Sequence, residues 1–271
     1  METGRLCTDM TGTSGCRGTS PAQREPGPRS EVQFFKGPKR KTTILNPNWI
    51  HLCIDMQRMF AEETPWHVAW MAKVSPAVAE LVARHPERTL FTRFIPPARA
   101  DQMPGAWQAY YRKWEDMTRE RIGEDMLDLV PELRRFVPPA RIFDKMTYSP
   151  WISGKLHAAL QAESVDTLVV TGGETDVCVL AAVLGAIDLG YRVRLLTDAV
   201  CSGADDTHDA SLALLGDRFS VQLELLETES FLRTHQGSSC DEARALDAAG
   251  RPRGDRLHRV NRDYLFRSFA I

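Results

Sequence analysis

The stretch TLVVTGGETDVCVLAAVLGAIDLGYRVRLLT, residues Thr167–Thr197, reads as strand, turn, helix and strand in succession. Thr167–Thr171 is a short β-branched, apolar run bounded by the Gly172–Gly173 pair. Asp176–Gly190 is apolar nearly all round, as befits a helix buried against a sheet. Gly185 within it is expected to let the backbone approach a strand closely. Arg192–Thr197 then returns as a strand. Two strands joined through a helix pair in parallel, because only a crossover of that length returns the chain to the same end of the sheet.

The same alternation runs outward in both directions. Further strand-like runs occupy Trp49–Ile54, Thr89–Phe94, Arg141–Phe143 and Ser220–Leu225, and helix-like stretches occupy Ser75–His85, Ser153–Glu163 and Asp205–Phe219. This pattern predicts an α/β fold: a three-layer α/β/α domain with a mostly parallel, open sheet of about six strands. The domain is expected to span residues 44–234. Residues 1–43, rich in Gly, Ser, Thr, Pro and Arg, read as a disordered tail with too little apolar surface to offset ordering. Residues 235–271 read as an extension, partly disordered or docking as a short helix.

Bulk composition narrows the classes. The 271 residues are 43% hydrophobic and 26% charged, with a formal charge of −2, which argues against nucleic acid or a membrane surface as the main partner. No apolar run reaches bilayer length, and the first residues lack the apolar centre of a secretory signal. The six cysteines are scattered without a Cys-x-x-Cys pair, which suits a reducing cytoplasm better than a disulfide scaffold or zinc site. The seven histidines are equally dispersed, and no metal site is indicated. TGGETD lacks the Gly-x-Gly-x-x-Gly spacing of a dinucleotide loop.

In an open parallel sheet, ligands bind beyond the carboxyl ends of the strands. Asp55 stands at the end of the first strand and Lys145, beside Asp144, at the end of the third. Cys178 lies beyond the fourth, at the start of a helix. A carboxylate, an amine and a thiol on one sheet edge can share a proton and a nucleophile. Thr175 or Asp176 is a suitable N-cap, which would put the thiol in the first helical turn. The helix dipole and a nearby Lys145 would there lower its pKa. The Gly172–Gly173 pair allows a sharp turn that aims peptide N–H groups at a developing oxyanion. Cys53, inside a strand, and Cys201 read as inert thiols.

These segments resemble the isochorismatase-like cysteine hydrolases, which include nicotinamidases and N-carbamoyl amidases. The resemblance is carried by IDMQRMF (Ile54–Phe60), DKMTYSPW (Asp144–Trp151), TGGETDVCV (Thr171–Val179) and GYRVRLLTDAVCS (Gly190–Ser202). It implies a catalytic triad of Asp55, Lys145 and Cys178, an oxyanion hole from the backbone N–H groups of Glu174 and Cys178, and a cis peptide at Gly173–Glu174. It also implies hydrolysis of a C–N bond in a small amide, ureido or N-carbamoyl molecule, without cofactor, by a cytoplasmic homo-oligomer. The vinyl-ether hydrolysis of isochorismate and non-catalytic binding are the alternatives. Nicotinamidases carry an Asp-x-His metal motif after the second strand, where this chain reads TRFIPPAR (Thr92–Arg99). Phe60, Arg93, Tyr148 and Trp151 lie just past strand ends and are candidate substrate contacts. Trp107, Tyr110, Tyr111 and Trp114 share one helix face, as a packing surface, a subunit contact or a lid over the pocket.

Overall fold

A computed structural model of the chain describes residues 48–235. The tails expected at 1–43 and 235–271 therefore lie outside the described residues, apart from His235. Six strands form one sheet: β1 (Trp49–Ile54), β2 (Thr89–Phe94), β3 (Arg141–Lys145), β4 (Thr167–Gly173), β5 (Arg192–Cys201) and β6 (Leu223–Leu226). Their order is β3-β2-β1-β4-β5-β6, and every neighbouring pair is parallel. The chain winds outward from β1 on both sides, so β1 and β4 are the neighbours at which the winding reverses. That is where a doubly wound sheet opens its crevice.

The helical segments are α1 (Arg58–Ala61), α2 (Met71–Arg84), α3 (Ala106–Lys113), α4 (Arg119–Ile122), α5 (Pro131–Arg134), α6 (Lys155–Ala162), α7 (Leu180–Asp188), α8 (Asp205–Arg218) and α9 (Thr228–His235). Strand alternation divides the core between the two faces of the sheet. Cys53, Val169, Leu196 and Ala199 point to the face covered by α2, α9 and the segment around α3. Leu52, Ile54, Leu168, Val170 and Leu195 point to the face covered by α6, α7 and α8.

Several boundaries differ from those expected. β3, β4 and β5 run on to Lys145, Gly173 and Cys201. Pairing with neighbours overrides the poor strand propensity of Asp, Lys and Gly: Asp144 and Lys145 pair with Arg93 and Phe94, and Gly172 and Gly173 with Val200 and Cys201. α2 starts at Met71 rather than Ser75 and carries Pro76 inside it, because Met71 and Val74 extend the buried stripe of Val78, Leu81 and Val82. Gly185 contacts a side chain rather than a strand. A Cβ there would lie 2.3 Å from Cδ1 of Trp151.

Buried His51 ties the sheet centre together. Its ring nitrogens bond Thr89 on β2 at 3.1 Å and Thr171 on β4 at 2.7 Å. Burial, reinforced by the nearby His85, pulls its pKa down to about 3, so it is a neutral polar pin within an apolar layer.

Candidate active site

β1 delivers Asp55 to the crevice and then turns with a positive φ of 48°, a conformation that a residue other than glycine adopts only where its surroundings hold it. Those surroundings are identifiable. Thr92 on β2 donates to Asp55 Oδ1 at 2.6 Å and accepts from the Asp55 backbone N–H at 3.2 Å. Gln57 then locks the following loop to the end of β2, accepting from Phe94 N at 2.6 Å while donating to the Phe94 and Leu127 carbonyls. On the other side, Gly172 of β4 has φ +105°, and a Cβ there would stand 2.0 Å from the Ile54 carbonyl oxygen. Only glycine lets β4 pass this close to β1.

Lys145 reaches across β2 from the end of β3. Its Nζ donates to Asp55 Oδ2 at 2.7 Å and to the Thr147 carbonyl at 3.1 Å, and lies 3.6 Å from Cys178 Sγ. Burial opposes its charge, but Asp55 and Cys178 outweigh that cost and raise its pKa, so the site retains an ammonium ion. Asp55 and Cys178 share the Lys145 ammonium. The structure thus brings together the three side chains expected to act as a unit. The Gly173–Glu174 peptide is cis.

The immediate setting of Cys178 departs from expectation in two respects. It sits in a π-helical turn, Thr175–Val179, whose N-cap is Glu174 and which receives no side-chain cap. Thr175 instead bonds His208 of α8, and Asp176 accepts from Ser202 and Thr207. Polar partners on α8 and at the end of β5 thus take the side chains expected to cap the turn. Second, the thiol pKa is raised rather than lowered: burial dominates, and the positive charge of Lys145 offsets it only in part. Cys178 is therefore a thiol at rest. Cys53 and Cys201 are pushed up to about 12, also chiefly by burial, and among the described residues no cation offsets it.

A cavity of about 360 Å³ opens onto the Cys178 thiol. Its walls are largely aromatic: Phe60, Trp66, Phe94, Tyr110, Trp114 and Tyr148. Pro65, His67, Glu174 and Val177 complete the lining. Trp66 stacks on Phe60 at 6.1 Å and meets Tyr110 at 5.9 Å, while Tyr148 stacks on Phe94 at 6.3 Å. Two of the four expected substrate contacts, Phe60 and Tyr148, line this space. The other two do not. Arg93 points to the opposite side of β2, where it pairs with Asp144 at 2.8 Å and Asp128 at 3.4 Å. Trp151 is buried against α7, with Nε1 bonded to the Ala182 carbonyl at 2.8 Å. Strand alternation accounts for Arg93, and the glycine notch at Gly185 accounts for Trp151.

Within the aromatic segment Trp107–Trp114, Tyr110 and Trp114 line the cavity while Tyr111 is fully buried, so one short helix both packs on the body and walls the pocket. Trp66 and Phe94 are pocket residues that sequence reading missed. The aromatic pair around ETPWHVAW (Glu63–Trp70), so soon after Asp55, was the available signal for Trp66. Among the described residues no three His, Cys, Asp or Glu side chains gather as metal ligands, and Ile95–Arg99 supplies neither carboxylate nor imidazole. The residues present do not fit the metal site of nicotinamidases.

Comparison with known proteins agrees with this geometry. Residues 50–226 match the model of the isochorismatase domain. The chain belongs to the isochorismatase family. That family consists mostly of hydrolases, amidases and nicotinamidases among them. A probable inactive nicotinamidase of Arabidopsis thaliana is 33% identical over 168 residues, covering 59% of this chain and 84% of the relative. Isochorismatase family protein 1A of Dictyostelium discoideum is 34% identical over 94 residues, 34% of this chain, and the match spans only 44% of that relative. A cysteine hydrolase of Pseudomonas syringae superposes with a TM-score of 0.60 at 23% identity, covering 69% of this chain and 91% of that one. The last likeness extends the isochorismatase fold and says nothing by itself about chemistry.

Proposed function

We propose that this isochorismatase-family protein is a cysteine hydrolase that cleaves the C–N bond of a small amide, ureido or N-carbamoyl substrate through a thioester. The observation that carries the reading is the convergence of Asp55, Lys145 and Cys178, with Cys178 lining an aromatic cavity. Because the resting thiol is neutral, its proton must leave as sulfur attacks. The Asp55 carboxylate, which shares the Lys145 ammonium with the thiol, accepts it while the sulfur–carbon bond forms. The carbonyl π electrons move onto oxygen, which the N–H groups of Glu174 and Cys178 receive. Lys145 compensates the negative charge on sulfur and carboxylate. Asp55 then returns the proton to the leaving nitrogen as the C–N bond breaks, releasing the amine and leaving a thioester. Water attacks the thioester with Asp55 as base, and the departing sulfur regains its proton from Asp55, giving the acid and the resting enzyme.

The scattered cysteines, without a Cys-x-x-Cys pair, support a reducing compartment as the place of work, and the family resemblance supports a homo-oligomer. The test is to incubate the protein with a panel of small amides, ureides and isochorismate and read intact mass and amine release. A Cys178-dependent acyl adduct with amine release supports the proposal. Absence of adduct and turnover across the panel, with the Cys178→Ala variant indistinguishable from the parent, would sink it in favour of a non-catalytic binding role. Turnover of isochorismate alone would replace it with the vinyl-ether reaction.

A further inference from the structure

The cavity has a sharply one-sided charge character. Lys145, the cation beside the Cys178 thiol, is buried outside the lining and already shared among the Asp55 carboxylate, the Thr147 carbonyl and that thiol. Arg93, the guanidinium expected to meet a substrate, is turned away and neutralised by Asp144 and Asp128. The carboxylate that does line the cavity is Glu174, and one of its oxygens, Oε2, accepts from the Gly203 N–H. Most of the remaining wall is six aromatic side chains, whose π faces carry partial negative charge. His67 is the one basic side chain among the described lining residues, and it is exposed.

A substrate carboxylate placed here would give up its water for aromatic faces and Glu174, without a free counter-ion among the described lining residues. Burying an unpaired anion is strongly unfavourable. A cationic ring or ammonium in the same place would meet several π faces and a carboxylate, the arrangement that binds quaternary ammonium groups.

We propose that this site selects its amide by charge: the body of the substrate is a cationic or uncharged flat group, the cation preferred, and amides bearing a carboxylate are rejected. This inference rests on the hydrolase reading for its catalytic consequence, but the binding preference stands on the cavity alone. It separates the candidate substrates, because N-carbamoyl amino acids and isochorismate both carry carboxylates.

Three primary amides of nearly equal shape test it: N1-methylnicotinamide as cation, 3-methylbenzamide as neutral probe and 3-carboxybenzamide as anion. Binding is read on the Cys178→Ala variant by quenching of tryptophan fluorescence at roughly pH 8. The cation should bind more tightly than the neutral amide by several-fold to about tenfold, and the anion should bind at least about tenfold more weakly than the neutral one. Glu174→Gln should narrow the cation-to-anion gap, with circular dichroism and melting temperature as the check on folding. An anion bound as well as the neutral probe, or no binding by any of the three, overturns the proposal. Turnover by the parent protein is measured in parallel. If the binding order holds but none is hydrolysed, the hydrolase reading fails and the charge selection stands; if the carboxylate is the one hydrolysed, the charge selection fails and the hydrolase reading stands.

Discussion

The two halves of the site are built differently. The polar edge stands on the ends of adjacent parallel strands: Asp55, Thr92 and Lys145 are buried, with Thr92 and Lys145 both bonded to Asp55, and anchored by the sheet ladder. The facing wall comes from the loop carrying Trp66, from α3 and from the turn after β3, where Tyr110, Trp114 and Tyr148 are only partly buried. The first half is held by charge and backbone pairing, the second by ring-on-ring contacts. Groups that exchange protons need fixed distances, which strands supply, whereas substrate fit can be reshaped through loops without moving the reacting atoms.

Substitutions should separate these halves. On the proposed hydrolase reading, Cys178→Ala is expected to lower kcat by more than about 10⁴-fold, because members of a catalytic unit act together, while leaving the melting temperature close to that of the parent. Lys145→Met should cost about 3–5 kcal/mol in urea denaturation, since it strands the Asp55 carboxylate in the interior; Asp55→Asn added to it should recover much of the loss. If the double variant is as unstable as the single one, the edge is not held by charge.

Acid provides a third probe, directed at the sheet centre. His51 has a folded-state pKa of about 3 against an ordinary value of 6.5, so the unfolded chain binds the extra proton first. Its contribution is complete above pH 6.5 and is lost progressively as pH falls towards 3, at up to about 1.4 kcal/mol per pH unit. Denaturation curves for parent and His51→Asn should therefore diverge in slope between those limits; parallel curves would contradict the buried neutral imidazole.

Smaller effects are expected away from the edge. Gly185→Ala should destabilise by about 1–3 kcal/mol through collision with Trp151, read as a lower urea midpoint at unchanged m. Arg93→Ala should cost less than about 1 kcal/mol, given its partly solvated ion pairs, and should leave kcat/KM within about twofold. A large loss of kcat/KM would return Arg93 to the substrate pocket and undo the charge argument.

Much of this site was legible in the chain because its parts obey local rules. Parallel strands announce themselves by β-branched runs, and the residues directly after them fall on one edge, so Asp55, Lys145 and Cys178 could be grouped before any coordinates. The supporting contacts follow no such local rule. Thr92, which bonds Asp55, is an ordinary strand threonine in sequence, and the capping role expected of Thr175 and Asp176 was lost to partners on α8 and β5.

Sequence by itself determined the doubly wound architecture, the grouping of Asp55, Lys145 and Cys178 at one sheet edge and the glycine-rich turn before Cys178, since periodicity, strand ends and glycine all act over a few residues. Tertiary structure decided the protonation of Cys178, the removal of Arg93 and Trp151 from the pocket, and the aromatic, cation-poor character of the wall. Those depend on burial and on neighbours distant in the chain, and desolvation, which is stronger here than the charge of one lysine, exists only once the fold has closed around the thiol.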